Sequence, residues 1–329
     1  MFNVVYCCNN LYAPYVGVSM LSFLEHNYKD FDGITMHIIN DDVSDDYKDK
    51  LTKITDKYEN VYIKFHDFNL SDYNCEPKRR FNHPIAFSFL FISSILEDVD
   101  KAMYLDADSI ITGSYKDMYD NVDISNKFGA AVLDIPIPYL KRNLGIEGKD
   151  YYNNGFFWLN LDYIRENNLV EKFVEVVNTR AYLPFCDQDT ISIVMNDKDV
   201  VKLHPKYNFV GYFSVFDYDN VMNIFSLEPE DYYSKEEIDE AMADPIFNHF
   251  IDLFAGAPWN DTTNPRYELY MKYAKMTPFE YDEIFQEKPL SLWRRTVFKL
   301  RFILPNSLFA KFSAFYLRRF VDEPNLKEQ

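Results

Sequence analysis

The chain has 329 residues, 47% of them hydrophobic, and a formal net charge of −18. That length and apolar content supply a sizeable core and exclude a disordered chain. The acidic balance excludes a general nucleic-acid binder. The four cysteines (Cys7, Cys8, Cys75 and Cys186) include no Cys-x-x-Cys pair, and two are adjacent in an apparent strand. Buried thiols of a reducing compartment are the expectation. No signal peptide is visible, and no apolar run approaches the length of a membrane span, so the reading is a cytoplasmic protein.

Asn3 to Cys8 predicts a buried strand. Val16, Met20, Phe23 and Leu24 recur at helical spacing. Ile34 to Asn40 predicts a second strand. Ser44 is placed to cap a helix with Asp45 and Asp46 in its first turn and an apolar stripe at Tyr47, Leu51, Ile54 and Tyr58. Val61 to Phe65 predicts a strand. Ile85, Phe89, Ile92 and Leu96 predict a helix that leads into the strand before Asp106. This alternation predicts a parallel, right-handed α/β sheet. Beyond Gly113 the pattern is mixed. Strands are predicted at Gly129 to Leu133, Gly155 to Leu161, Val200 to His204 and Ile246 to Phe250, and a helix at Val170, Phe173, Val174 and Val177.

The C-terminal region differs in kind. Residues 290–320 carry seven basic side chains and no acidic one, against 27 basic and 52 acidic in the rest. Basic charge mixed with Trp293, Phe298, Phe302 and Phe312, broken at Pro305, predicts interfacial membrane helices. The alternative is a terminal helix pair packed on an acidic domain.

The chemistry concentrates at Lys101-Ala-Met-Tyr-Leu-Asp106-Ala107-Asp108. Side chains at i and i+2 of an extended run point to one side, so Asp106 and Asp108 can converge. Two ionised carboxylates that close call for a cation, and hard divalent ions prefer such ligands and hold phosphates in turn. On its own Asp-x-Asp is equally a turn motif. The apolar strand before it favours a ligand site, because open α/β sheets bind ligands at the carboxyl ends of strands. No Gly-x-Gly-x-x-Gly, Gly-x-x-x-x-Gly-Lys or Gly-x-Ser-x-Gly occurs, which excludes dinucleotide, P-loop and nucleophile-elbow enzymes. Phosphatases with an aspartyl nucleophile also use Asp-x-Asp after a strand. They place it at the first strand, whereas here three strand–helix units precede it.

Four features accompany the two aspartates. Asn9-Asn10-Leu11-Tyr12 follows the first strand. Asn153-Asn154-Gly155 precedes an apolar strand. Asp187-Gln188-Asp189 sits before an apolar helix. His249 ends a strand, and Pro258-Trp259 follows. Singly these are turn residues, caps and a core histidine. In this order they resemble a retaining glycosyltransferase of family 8, over about Asn3 to Trp259.

The resemblance implies a GT-A fold: an α/β, Rossmann-like nucleotide-diphospho-sugar transferase domain over residues 1–260, with a small, mostly helical, basic and aromatic region over 261–329. It implies that Asp106, Asp108 and His249 hold Mn²⁺ (or Mg²⁺). It implies that Cys7, Asn9 and Tyr12 contact uridine, with Asp106 and Ala107 also at the nucleotide-sugar. Asn153, Asp187 and Gln188 would surround the donor sugar, the last two at the reacting carbon. The partners implied are UDP-glucose or UDP-galactose, a glycan or glycolipid acceptor, and an anionic membrane surface for peripheral attachment, with no nucleic acid. The alternatives from other classes are the phosphatase and a non-catalytic sugar-binding protein at the membrane surface. Three positions depart from the family's pattern. Asn9 stands where Asp is usual, Phe89 where Arg is frequent (with Arg79 or Arg80 as substitutes), and Ala257 where a phosphate-binding Lys is usual.

Overall fold

The computed structural model describes residues 1–78, 84–135, 138–251, 256–280, 282, 285 and 300–316. Arg79, Arg80 and most of the basic tail, residues 286–299 and 317–329, lie outside them.

The first half alternates as predicted. Strand β1 (Phe2–Asn9) leads to helix α1 (Ala13–Asn27), β2 (Ile34–Asp41), α2 (Asp45–Thr55) and β3 (Val61–Asp67). Ser44 caps α2, its Oγ accepting from the Tyr47 amide at 3.4 Å. Leu51 and Ile54 bury the inward stripe. The segment predicted as one helix over Ile85 to Leu96 is instead a 3₁₀ stretch, Pro84–Phe91, followed by one turn of helix α3 (Ile92–Ile95). All five residues from Phe87 to Phe91 are buried. Pro84 and Ala86 are exposed ahead of this buried block, so exposure does not follow the single helical stripe that the apolar spacing predicts.

β4 (Lys101–Leu105) and β5 (Ser109–Ile111) flank the Asp-x-Asp bend. Then come α4 (Lys116–Asn121), β6 (Gly129–Leu133), α5 (Pro138–Leu144), β7 (Tyr152–Asn160), α6 (Leu161–Glu166), α7 (Leu169–Thr179) and α8 (Cys186–Val194). β8 (Val200–Lys202), β9 (Phe209–Val210), α9 (Tyr218–Phe225), α10 (Lys235–Ala243), β10 (Phe247–His249) and α11 (Tyr267–Ala274) complete the domain. A terminal helix, Asn306–Tyr316, stacks Phe309 on Phe216 beside α9 at 5.5 Å.

The main sheet has the order β3-β2-β1-β4-β7-β6-β8. β1 pairs in parallel with both β2 and β4. The chain therefore winds outward from β1 to β3 on one side and then restarts at β4 on the other. That switch opens a crevice at the carboxyl ends of β1 and β4. The strands of the alternating half pair in parallel as expected, and β7, in the mixed stretch beyond Gly113, runs antiparallel to β4 and β6. β7 is buried at every position, so its apolar run carries no mark of direction. It also starts three residues before the predicted Gly155, taking Asn153 and Asn154 into the strand. A second sheet, β5-β10-β9, packs at the same end. The aromatic-rich composition goes largely into the core, as where Tyr115 stacks on Phe156 at 5.2 Å.

Candidate active site

Asp106 and Asp108 do not lie in one extended run. They sit in a bend between β4 and β5, and that bend brings the carboxylates together. Three bonds fix it. The Asp106 amide donates to the Gly155 carbonyl at 2.8 Å, Ser109 Oγ donates to the Asp106 carbonyl at 2.7 Å, and Tyr104 OH donates to Asp106 Oδ1 at 2.6 Å.

β5 then pairs antiparallel with β10, with Ser109 opposite His249. The Phe250 amide donates to the Asp108 carbonyl at 3.0 Å. A residue 141 positions away is thus set directly beside the aspartates. His249 Nε2 lies 3.2 Å from Asp108 Oδ1 and 3.6 Å from Asp106 Oδ2. All three residues offer ligand atoms within 4.8 Å of one another. Two carboxylates and an imidazole suit a hard or borderline divalent ion, and three protein ligands leave positions for substrate oxygens. Electrostatics agree. Burial and the neighbouring Asp108 charge push the Asp106 carboxyl up to about 6. Burial opposes a charged His249, yet the two aspartates outweigh it and raise its pKa. The cluster carries surplus negative charge that a cation would relieve.

A cleft of about 410 Å³ opens over the aspartates. Cys7, Asn9, Tyr12, Asp106, Ala107, Asp108, Asp187 and Gln188 all line it. Asn9 also caps its own turn, its carbonyl and Oδ1 both accepting from the Tyr12 amide. Burial raises the Cys7 thiol well above its usual range. Cys186 holds φ at 44°, and this left-handed residue turns the chain sharply into α8. Asp187 and Gln188 follow it into the cleft, whereas Asp189 turns inward to accept from Tyr151 OH and the Phe185 amide, each at 2.7 Å. Burial and the Asp106 charge push Asp187 up to about 8. Gln188 Nε2 donates to Asp134 Oδ2 at 2.8 Å, and its Oε1 accepts from the Asn154 amide at 3.1 Å.

Asn153 is brought to the site but not to the cleft wall. It is 3% exposed, and its Oδ1 accepts from the Gly155 amide at 2.9 Å and from Asn208 Nδ2 at 2.7 Å. Its neighbour Asn154 lines the cleft instead. Phe89 also lines it and packs edge-on against Tyr104 at 4.7 Å. Of the run after His249, residues 252–255 lie outside the described residues. Trp259 beyond them packs on Tyr15 at 4.7 Å. Sequence reasoning missed Asp134 and Asn208, and named Asn154 only as part of the Asn153-Asn154-Gly155 run, giving the site role to Asn153. Asp134 had a signal, since it follows the apolar run Gly129–Leu133 as Asp106 follows β4. Asn208, just before the two-residue strand β9, had none.

The fold is the GT-A fold of glycosyltransferases. A galactosyltransferase, LgtC, solved in complex with donor and acceptor sugar analogs, superposes with a TM-score of 0.65 at 18% identity, over 89% of this chain and 99% of that one. The chain belongs to glycosyl transferase family 8, whose family model matches residues 3–263. A Haemophilus influenzae protein, a glycosyltransferase by designation only, is 25% identical over 63% of this chain, and the match spans 63% of that relative's own length. The lipopolysaccharide 1,2-glucosyltransferase of Escherichia coli is 24% identical over 80% of this chain and 74% of its own length.

Proposed function

We propose that the protein transfers a hexose, glucose or galactose, from a UDP-sugar to a glycan or glycolipid acceptor of surface-polysaccharide synthesis, with retention of configuration. The observation that carries this reading is the convergence of Asp106 and Asp108, which line the cleft between β1 and β4, with the buried His249 behind them. No lysine or arginine lines that cleft among the described residues. A diphosphate seated there needs positive charge from another source, which supports a divalent ion, Mn²⁺ or Mg²⁺, on these three side chains. Such an ion would stabilise the negative charge that develops on UDP as the sugar leaves.

The chain's own groups would do the rest. Cys7, Asn9 and Tyr12, at the end of β1, would seat the uridine. The bond between the sugar's anomeric carbon and the β-phosphate oxygen breaks, and the acceptor hydroxyl bonds to that carbon on the same face. Its proton passes to the departing phosphate oxygen. The anomeric carbon gains oxocarbenium character. Gln188 is held at both ends of its amide, so its oxygen is pre-oriented rather than free to rotate. Asp187 stands one residue before it; with a divalent ion offsetting the Asp106 charge that helps hold its proton, its carboxylate would stabilise the same positive charge. The names of the relatives, a lipopolysaccharide glucosyltransferase among them, support a hexose donor and a surface-glycan acceptor.

Calorimetric titration of UDP with and without Mn²⁺ tests the reading, alongside hydrolysis of a panel of UDP- and GDP-sugars. The native protein should bind UDP only with the ion and slowly hydrolyse one UDP-hexose. Asp106→Asn and Asp108→Asn should lose both behaviours while remaining folded. Undiminished Mn²⁺-dependent UDP binding in either variant would overturn the metal assignment. Metal-dependent binding without hydrolysis or transfer would make the protein a sugar-nucleotide binder.

A further inference from the structure

Behind His249 lies a closed chain of buried polar groups. His249 Nδ1 is 3.1 Å from Asn208 Oδ1, Asn208 Nδ2 is 2.7 Å from Asn153 Oδ1, and Asn153 Oδ1 is 2.9 Å from the Gly155 amide nitrogen. His249, Asn208 and Asn153 are each 3% exposed or less. Asn208 comes to this place because β9 pairs in parallel with β10, with Val210 beside His249.

One end of the chain cannot be reversed. The Gly155 amide is backbone and only donates, so the atom of Asn153 that faces it is the oxygen. That oxygen also faces Asn208, so Asn208 must present its NH₂ there. Its own oxygen is then left facing His249, and His249 Nδ1 must carry the proton. Turning either amide over sets donor against donor or acceptor against acceptor in a site without solvent. Each such unmade bond costs about 1–3 kcal/mol.

We propose that Asn208 is a positioning residue that locks His249 in its Nδ1–H tautomer and so presents the Nε2 lone pair to a divalent ion held with Asp106 and Asp108. The inference rests on the reading of His249 as a metal ligand. It assigns a cause to the imidazole's state, and that cause is neither aspartate. Gly155 completes the device by omission. A Cβ there would lie 2.1 Å from His249 Cε1 and 2.5 Å from Nδ1, so any other residue would push the ring away from Asn208.

Two measurements decide it. The first is the ¹⁵N spectrum of histidine-labelled native protein with UDP and diamagnetic Mg²⁺, which offsets the Asp108 carboxylate 3.2 Å from Nε2, with the His249 signal identified by its absence in His249→Gln. The unprotonated nitrogen should be Nε2, and an Nε2–H tautomer overturns the proposal even if no variant folds. The second is Mn²⁺ affinity in the presence of UDP, followed by the Mn²⁺ electron paramagnetic resonance signal. Loss of a partner behind a metal-binding histidine weakens the metal about 10- to 100-fold, and Asn208→Ala should fall in that range. Asn208→Asp keeps an acceptor for Nδ1–H but sets an oxygen against Asn153 Oδ1, so it should keep the tautomer and more of the affinity than Asn208→Ala while melting lower than the native protein. Affinity within about twofold of native in Asn208→Ala overturns the proposal. If His249→Gln weakens Mn²⁺ while Asn208→Ala does not, this inference alone falls. If His249→Gln leaves Mn²⁺ affinity unchanged, the metal reading fails and takes this one with it.

Discussion

At the scale of single residues, Asp187 shows what assembling the cleft costs the fold. Its carboxyl is raised to about 8 by burial and by the Asp106 charge. Between the ordinary carboxylate range and about pH 8 the folded protein therefore holds a proton that the unfolded chain releases. Stability contributed by this group is present at low pH and falls as pH rises through that window, at most by about 1.4 kcal/mol per pH unit. Asp187→Asn removes the dependence. In EDTA at pH 8 the variant should melt higher than the native protein, and the gap should close as the pH is lowered toward 4. A lower melting temperature at pH 8 would contradict the assignment. Gln188 makes a different prediction. An oriented amide oxygen matters most when positive charge develops, so Gln188→Ala should lower kcat more than it raises KM for the donor. Full kcat with a weakened KM would give Gln188 a binding role only. The sequence exposed Asp106, Asp108 and His249 because each ends an apolar run. Asn208 was hidden because its meaning depends on partners 41 and 55 positions away.

At the scale of elements, the strands and the parallel run of the first four were legible, and the direction of β7 was not. Periodicity reports burial, and β7 is buried on both faces whichever way it runs. Its antiparallel entry between β4 and β6 depends on side-to-side fit that no local pattern encodes. Gly129 shows that fit. It pairs with Leu159, and a Cβ there would lie 2.4 Å from the Trp158 carbonyl oxygen. Overpacking of this kind costs about 1–3 kcal/mol. Gly129→Ala should shift the urea midpoint accordingly, with an unchanged denaturant slope. A midpoint equal to native would mean that β6 and β7 separate without cost. The 3₁₀ stretch Pro84–Phe91 taught the converse, since apolar spacing near the helical period did not produce an α-helix in a segment whose exposed residues, Pro84 and Ala86, precede a wholly buried block.

For the whole molecule, the sharpest feature is the contrast between an acidic domain and a basic, aromatic C-terminal region. We propose that this region carries the protein to an anionic membrane surface, where a lipid-linked acceptor would lie. No helix among the described residues is long and apolar enough to cross a membrane, so attachment would be interfacial. The terminal helix and the turn just before Pro305 divide their residues between two uses. Phe309, Ala310 and Ser313 are buried toward the domain, while Phe302, Ile303, Leu308 and Phe315 remain exposed. This division makes truncation a poor test, because removing the helix would uncover Phe216 as well. Phe302→Ser with Phe315→Ser is cleaner. Exposed positions change stability by only about 0.5 kcal/mol, so the melting temperature should hold. An inserted Phe contributes about 1.5–3 kcal/mol, so the double variant should bind anionic liposomes at least about tenfold more weakly. Each basic residue near the surface adds about 1 kcal/mol, so high salt should weaken the native protein and neutral lipid should bind it poorly. If the intact protein ignores anionic liposomes, or the double variant sediments with them as well as the native chain does, the exposed apolar residues have no membrane role and the region belongs to the packing of the domain.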